Sequence, residues 1–259
     1  IVNTLRLTGN RTATNNDGGS FISWADMGAN IYAPVPHMMV LTVTGAFSIG
    51  TASQGGPAIG NFLGGNDDLS WVRGNHQIAL GVAGGHFTNN DYNKGRDTGR
   101  SSITGTITGS AMADFMTGNV AAFDQRGSPR RQDSTWYLGT YGADTWKASR
   151  NVTVNYGVRW EPYFAQVFKN GDSVNFNLDA FNKGQTSSVY KGTPPGLFFT
   201  GDAGIPGTAS MFTKWTDVSP RLGLAWDVRG DGKTSLRASY GLFYDAAPLV
   251  YYTGRTPAF

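Results

Sequence analysis

The sequence predicts an all-β fold, an antiparallel transmembrane β-barrel of which this chain is one part. Three observations support the prediction: strands that alternate between apolar and polar residues, a composition poor in helix formers, and connections of two contrasting lengths. Successive side chains of a strand point to opposite faces of the sheet, so each such strand has one apolar and one polar face. The wall of a barrel between lipid and water requires this arrangement.

The clearest alternation lies in residues 219–245, where two segments meet at Gly230-Asp231-Gly232. A three-residue loop there, flanked by Arg229 and Lys233, sets the register of a hairpin, because turn length fixes which residues face each other. One face of this hairpin is then apolar. Its facing residues are Trp226 with Leu236, Leu224 with Ala238, and Leu222 with Tyr240.

Residues 151–161 repeat the design in one strand, with apolar side chains at even positions and polar ones at odd positions. Alternation of this kind over a whole strand is typical of a barrel wall that faces lipid on one side and water on the other. This strand and the hairpin together predict a lipid-facing set. Its members are Val152, Val154, Tyr156, Val158, Trp160, Leu222, Leu224, Trp226, Leu236 and Tyr240.

The composition is typical of strands and turns. Of 259 residues, 36 are Gly, 13% are aromatic, and Glu161 is the single glutamate. The mean hydropathy is −0.29, and no apolar run approaches the roughly 18 residues of a membrane-spanning helix. These values exclude an α-helical membrane protein but not a barrel, whose strands are half polar.

The charge and the cysteine content exclude several classes of function. The net charge of +3 comes from Lys and Arg spread along the chain, without the basic block that follows a phosphate backbone, so we expect no nucleic-acid partner. The absence of Cys rules out disulfides and thiol chemistry. The sequence starts in an apparent strand, with no signal peptide. We therefore expect an interior piece of a longer polypeptide.

The orientation of the segment 134–147 is ambiguous because its aromatic residues occupy both even and odd positions. A four-residue turn at 148–151 pairs Lys147 with Val152 and predicts that Asp144 faces the lumen. A charge on the lipid face costs roughly 2 to 4 kcal/mol at the bilayer midplane, which favours this register. The predicted lumen-facing charged residues are Asp144, Arg159, Glu161, Arg221, Asp227 and Arg237, and we expect Asp144 and Glu161 to pair with the arginines.

Further elements follow from the same patterns. A tight turn at 72–75 separates two predicted strands, and two upstream connections are long, as is the connection 162–214. Short turns on one side and long loops on the other are typical of outer-membrane barrels. The remaining predicted elements are strands 61–71, 76–85, 37–49, 102–108 and 119–125 and a helical turn at 110–117.

Five stretches carry a resemblance to the barrel of Oar-like TonB-dependent outer-membrane transporters. The match keeps the order of that family from residue 67 to residue 245, and the first 60 or so residues match more loosely. The stretches are 67–81 (DDLSWVRGNHQIALG), 137–147 (YLGTYGADTWK), 152–161 (VTVNYGVRWE), 201–206 (GDAGIP) and 219–245 (SPRLGLAWDVRGDGKTSLRASYGLFYD).

The resemblance implies a barrel of about 22 strands in the bacterial outer membrane, of which residues 1–259 form a partial domain with long extracellular loops. It implies active uptake of an unknown ligand, driven by the TonB complex through a plug that is not visible in this chain. The implied partners are outer-membrane lipid, the TonB complex and the transported ligand.

No motif in the chain indicates an enzyme, a cofactor or a metal site. The three histidines, His37, His76 and His86, are too dispersed for a metal signature. Gly232-Lys233-Thr234 resembles the end of a phosphate-binding loop, but a strand follows where a helix is needed. Two alternatives to the transporter stay open: a non-gated porin or adhesin-like barrel, and a soluble or fibrous all-β protein.

Overall fold

The structure is a computed structural model, and it describes eight stretches of the chain. These are residues 1–15, 22–33, 37–50, 55–93, 97–125, 130–171, 174–209 and 211–245, so parts of the predicted long loops lie outside the described residues. The chain divides into two compact units. Unit 1 contains Ile1–Arg11, Asn61–Thr88 and Asp133–Arg255, and unit 2 contains Thr12–Gly60, Asn89–Gln132 and Thr256–Phe259.

The described elements are mostly strands, as the sequence predicts. In chain order they are β1 (Val2–Asn15), β2 (Val40–Val43), β3 (Phe47–Ile49), β4 (Gly55–Arg73), β5 (His76–Asn93), β6 (Arg100–Ile103), α1 (Ala111–Met116), β7 (Ala122–Asp124), β8 (Arg130–Lys147), β9 (Val152–Trp160), β10 (Val167–Phe168), β11 (Val174–Phe176), α2 (Leu178–Asn182), β12 (Leu197–Phe199), β13 (Val218–Asp227) and β14 (Ser235–Gly241).

The largest sheet is open and has the strand order β1-β4-β5-β8-β9-β13-β14, with β10 added to β8. The pairs of β9 with β8, of β9 with β13 and of β13 with β14 are antiparallel. Strands β4 and β5 are longer than predicted, and the two-residue turn Gly74-Asn75 joins them. Gly74 has a φ of 59°, a backbone conformation that glycine adopts without strain.

The predicted register of the β13–β14 hairpin is confirmed, since Trp226 faces Leu236 and Leu222 faces Tyr240. Both strands stop short of the expected three-residue loop. The Asp227 carboxylate accepts hydrogen bonds from the N–H groups of Gly230 at 3.0 Å and Gly232 at 2.8 Å, and so fixes the turn. Asp227 therefore lies at an odd position of β13, as predicted, but its carboxylate binds the backbone of the turn.

The connection from β9 to β13 is ordered in its described part. Strand β11 pairs with β12, and α2 follows Asn177, whose side chain accepts a hydrogen bond from the Ala180 N–H at 3.0 Å. Such a cap satisfies one of the backbone donors that the first turn of a helix leaves unpaired.

Asp202, in the 201–206 stretch, holds this connection together and is 5% exposed. Its carboxylate accepts hydrogen bonds from the hydroxyl groups of Ser187 at 2.7 Å and Ser188 at 2.8 Å. The backbone N–H groups of Ser188 at 2.7 Å and Phe199 at 2.8 Å donate to it as well. Burial raises the pKa of Asp202, but these hydrogen bonds outweigh burial and leave the pKa below its ordinary value of 3.8.

Unit 2 has a sheet of its own with the order β3-β2-β6-β7, in which β2 and β6 are parallel. Ala111 and Phe115 of α1 pack against its core, and Phe115 meets the Phe47 ring edge-on at 5.2 Å. The helical turn predicted at 110–117 is confirmed as α1. The buried core residues are Trp24, Met39, Leu41, Val43 and Ile103.

The prediction of one strand over residues 37–49 is wrong. Gly45, with a φ of 74°, turns the chain, and the Ala46 N–H bonds to the Val43 carbonyl at 3.0 Å. Strands β2 and β3 therefore form a hairpin. The predicted pairing of 102–108 with 119–125 exists as β6 with β7, in shorter strands.

We predict that Asp202→Asn in the full-length protein destabilises the β9–β13 connection by about 1 to 3 kcal/mol, because an amide group cannot accept all four hydrogen bonds. Hydrogen exchange of the Ser188 and Phe199 amides, followed by mass spectrometry, measures the effect. Asp179→Asn, at an exposed carboxylate of α2, is the matched control. Equal exchange in the two variants would contradict the role of Asp202.

The same carboxylate predicts an acid limit for this connection. Because the pKa of Asp202 is lowered on folding, its stabilisation is complete above the ordinary pKa of 3.8. The stabilisation is lost as the pH falls from 3.8 toward the lowered pKa. Protection of the Ser188 amide should therefore hold from neutral pH to about pH 4, and the Asp202→Asn variant should lack this acid transition.

Candidate functional site

The paired strands β8, β9, β13 and β14 of unit 1 have two chemically different faces. We call the face of their odd-numbered residues the polar face and the face of their even-numbered residues the apolar face. Four rows of facing residues cross the polar face, and one of them is Lys147–Thr153–Ala225–Arg237. The other three are Tyr141–Arg159–Ser219, Ala143–Gly157–Arg221–Gly241 and Thr145–Asn155–Gly223–Ser239.

Arg159 and Glu161 form an ion pair on the polar face, with Arg159 Nε 2.7 Å from Glu161 Oε2. Tyr137 completes the group: its hydroxyl accepts from Arg159 Nη2 at 2.6 Å and donates to Glu161 Oε1 at 2.7 Å. A guanidinium that donates to two acceptors is held in one orientation. The predicted pairing of Glu161 with a neighbouring arginine is therefore confirmed.

A basin of about 730 Å³ lies beside this group, and it is the candidate functional site. Tyr141 and Arg159 line one side of the basin, and Arg221 and Phe243 line it as well. The Tyr141 hydroxyl donates to Asp68 Oδ1 at 2.9 Å, which fixes the ring. The Arg221 guanidinium carbon lies 4.8 Å from the centre of the Phe243 ring, a cation–π contact.

Arg237 also lies on the polar face, opposite Ala225, but outside the basin lining. The predicted charged residues are thus divided: Arg159 and Arg221 meet at the basin, and Glu161 holds Arg159. Sequence reasoning missed the contributions of Tyr137, Tyr141 and Phe243. All three have odd numbers, as the other residues of the polar face do. This pattern could have identified them only if the register of β8 had been predicted correctly.

The apolar face carries the predicted lipid-facing residues of β9, β13 and β14, because the even positions of these strands face one another. Leu222 is 57% exposed and Tyr240 67% exposed. The facing rows are Val152–Trp226–Leu236, Val154–Leu224–Ala238, Tyr156–Leu222–Tyr240, Val158–Pro220 and Trp160–Val218.

The predicted orientation of Asp144 is wrong. Lys147 pairs with Thr153 and not with Val152, so the register of β8 is shifted by one residue, and Asp144 faces Tyr156 on the apolar face. Two side chains stabilise the carboxylate there. Tyr156 donates to Asp144 Oδ2 at 2.8 Å, and His76 Nδ1 lies 2.6 Å from the same oxygen.

Aromatic packing reinforces this cluster. The His76 ring stacks on Trp146 with ring centres 5.7 Å apart and planes 4° from parallel. Trp146 lies one position from the end of β8, and His76 is the first residue of β5. The Asp144 cluster is therefore at the end of the sheet where the short turns are.

The described residues offer no group of three or more His, Asp or Glu side chains that could hold a metal ion. Within the same residues, no helix has the length and apolarity that crossing a bilayer demands.

Comparison with known families identifies the chain. The model of a family described as Outer membrane beta barrel domain matches residues 1–259. The chain belongs to the outer membrane beta barrel domain family. No curated protein and no solved structure matches it.

Membership of the outer membrane beta barrel domain family confirms two predictions, the all-β antiparallel barrel class and the bacterial outer-membrane localisation. The soluble or fibrous all-β alternative does not fit this family. The described strands of this member form open sheets, the largest of them with eight strands.

We predict that Asp144→Leu lowers the stability of the full-length protein, because it removes the hydrogen bond from Tyr156 and the contact with His76. Asp144→Asn, which keeps the size and one acceptor, should be intermediate. Urea unfolding in lipid vesicles, followed by Trp fluorescence, measures both variants. A gain in stability with leucine would show that the carboxylate is an unsatisfied charge on the apolar face.

Proposed function

We propose that the chain is part of the barrel wall of a TonB-dependent outer-membrane transporter that takes up a ligand and catalyses no reaction. The observation that carries the proposal is the separation of the two faces, with leucines and valines on one and the Arg159–Glu161 pair on the other. Such a wall separates lipid from a polar lumen. The resemblance of five ordered stretches to Oar-like transporters supports TonB as the energy source.

In this proposal the apolar face meets lipid. Leu222 and Tyr240 each leave more than half of their surface exposed, and contact with acyl chains removes this area from water at a gain of about 25 cal/mol per Å². The polar face then lines the lumen, where the ion pair of Arg159 and Glu161 stays solvated.

Tryptophans on β8 agree with this orientation. Trp136 and Trp146 both lie on the apolar face, ten positions apart. At about 3.3 Å per residue they are separated by roughly 33 Å along the strand. A strand tilt of about 40° reduces this to roughly 25 Å, the height of the apolar band between aromatic girdles.

The membrane orientation also accounts for Asp144. Because the cluster of Asp144, His76 and Trp146 lies beside the short turns, it falls at the level of one girdle and not at the bilayer midplane. The cost of a lipid-facing charge falls steeply toward the interface, where water and headgroups solvate it. A carboxylate with two polar partners is tolerated there.

We predict that Leu224→Arg impairs membrane insertion of the full-length protein far more than Ala225→Arg. Leu224 lies on the apolar face opposite Val154, and Ala225 lies on the polar face opposite Arg237. A midplane charge on the lipid side costs roughly 2 to 4 kcal/mol. Heat-modifiable migration of the membrane fraction reports folding, and equal yields for the two variants would refute the proposed orientation.

TonB dependence predicts two properties of the full-length protein. A transporter closed by a plug gives no steady conductance in a planar bilayer, and it is captured by the purified periplasmic domain of TonB. Steady ohmic conductance without capture would favour the porin-like alternative. The comparison uses the intact gene product, because in this proposal capture depends on a plug that is not visible in this chain.

A further inference from the structure

We infer that the basin on the polar face binds a small ligand that carries a carboxylate beside a flat apolar group. The inference rests on the proposed transport function, because it names the chemical class of group that would contact the lumen wall. Charge, free volume and aromatic surface in the basin each support it.

The charged side chains that line the basin from the polar face, Arg159 and Arg221, are positive, whereas Asp144, which also lines it, faces Tyr156 on the apolar face. Arg159 is neutralised by Glu161, with 2.7 Å between Nε and Oε2. Arg221 has no direct ion pair among the described residues, although the charge of Glu161 also acts on it, and its guanidinium lies 4.8 Å from the centre of the Phe243 ring. A guanidinium held against a ring keeps its N–H groups free to form paired hydrogen bonds with a carboxylate.

A second donor is fixed close to the floor of the basin. The Asn155 amide oxygen accepts a hydrogen bond from the Thr145 hydroxyl at 2.8 Å, which determines the orientation of the amide. Its NH₂ group is thereby the donating end, and Nδ2 lies 3.7 Å from the position that a Cβ on Gly223 would take. An anion in the basin can receive hydrogen bonds from Asn155 as well as from Arg221.

Glycine provides the free volume. Gly157, Gly223 and Gly241 lie on three neighbouring strands and all line the basin. A Cβ on Gly157 would come within 2.8 Å of the Ala143 Cβ, whereas a Cβ on Gly223 would have its nearest neighbour at 3.6 Å. Gly223 is therefore the position where a larger side chain would fill the basin without disturbing the sheet.

Aromatic surface favours a ligand with a flat apolar part. Tyr141, fixed by its hydrogen bond to Asp68, and Phe243 both line the basin. Rings offer large apolar contact area, and an aromatic ligand can stack on them or meet them edge-on. Inorganic phosphate can receive hydrogen bonds from Arg221 and Asn155 but makes no use of the aromatic surface, and an amine is repelled by Arg221, so a carboxylate on a flat ring fits best.

The test uses full-length protein in detergent micelles with benzoate as the test ligand, and benzyl alcohol and inorganic phosphate as comparisons. Saturation-transfer NMR and isothermal titration measure the affinities. We expect benzoate to bind at least about tenfold more tightly than either comparison, since a charge-assisted hydrogen bond and the aromatic surface act together. Equal binding of benzyl alcohol, or tighter binding of phosphate, would overturn the inference.

Three variants locate the site. Arg221→Gln should lower benzoate affinity about tenfold, and Gly223→Val should abolish binding by filling the basin. Arg237→Gln, which removes an arginine from the same face outside the basin, is the control and should bind like the parent protein. Heat-modifiable migration verifies that each variant is folded.

Equal affinity in the Arg221→Gln and Arg237→Gln variants, or no benzoate binding by the parent protein, would overturn the inference. Capture by the TonB domain is measured on the same preparations. Capture without benzoate binding rejects the basin site alone, and benzoate binding without capture rejects the transporter proposal alone.

Discussion

The pairing of β9 with β8 on one side and β13 on the other is the constraint on which the two-faced sheet depends. Side chains alternate with a period of two, so a slip of one residue would move every side chain of β8 to the opposite face. Contacts on both faces hold the observed register: Tyr156 donates to Asp144 on one, and the Arg159 guanidinium lies 5.9 Å from the Tyr141 ring centre on the other. Neither contact survives a slip, so both faces stabilise the same pairing.

The register of β13 and β14 could be predicted because a glycine turn and clean alternation point to one pairing. The register of β8 could not, since its aromatic residues occupy both parities and one assumption decided the prediction. The assumption was that Asp144, if it faced lipid, would carry the full free-energy cost of a charge at the bilayer midplane. The cost of a lipid-facing charge depends on its depth in the bilayer and on the polar side chains that contact it. Residues 134–147 alone show neither, because His76, which contacts Asp144, lies on a different strand.

The same limit applies to the connections between strands. Local signals identified α1, but the parallel pairing of β2 with β6 joins residues about 60 positions apart, and no local pattern specifies such a contact. Asp202 is a similar case. The sequence shows an aspartate in a glycine-rich stretch, whereas its four hydrogen bonds depend on where Ser187, Ser188 and Phe199 come to lie.

The arginines of the polar face show why parity alone does not assign function. Arg159, Arg221 and Arg237 share one face and one charge, yet their surroundings differ. Glu161 neutralises the first, and the second is held against Phe243 above a floor of glycines. A charge that is neutralised locally contributes little to binding an anion, whereas a positioned charge beside free volume contributes much more. Partners and space around each guanidinium, and not its presence on the face, therefore determine which arginine can contact a ligand.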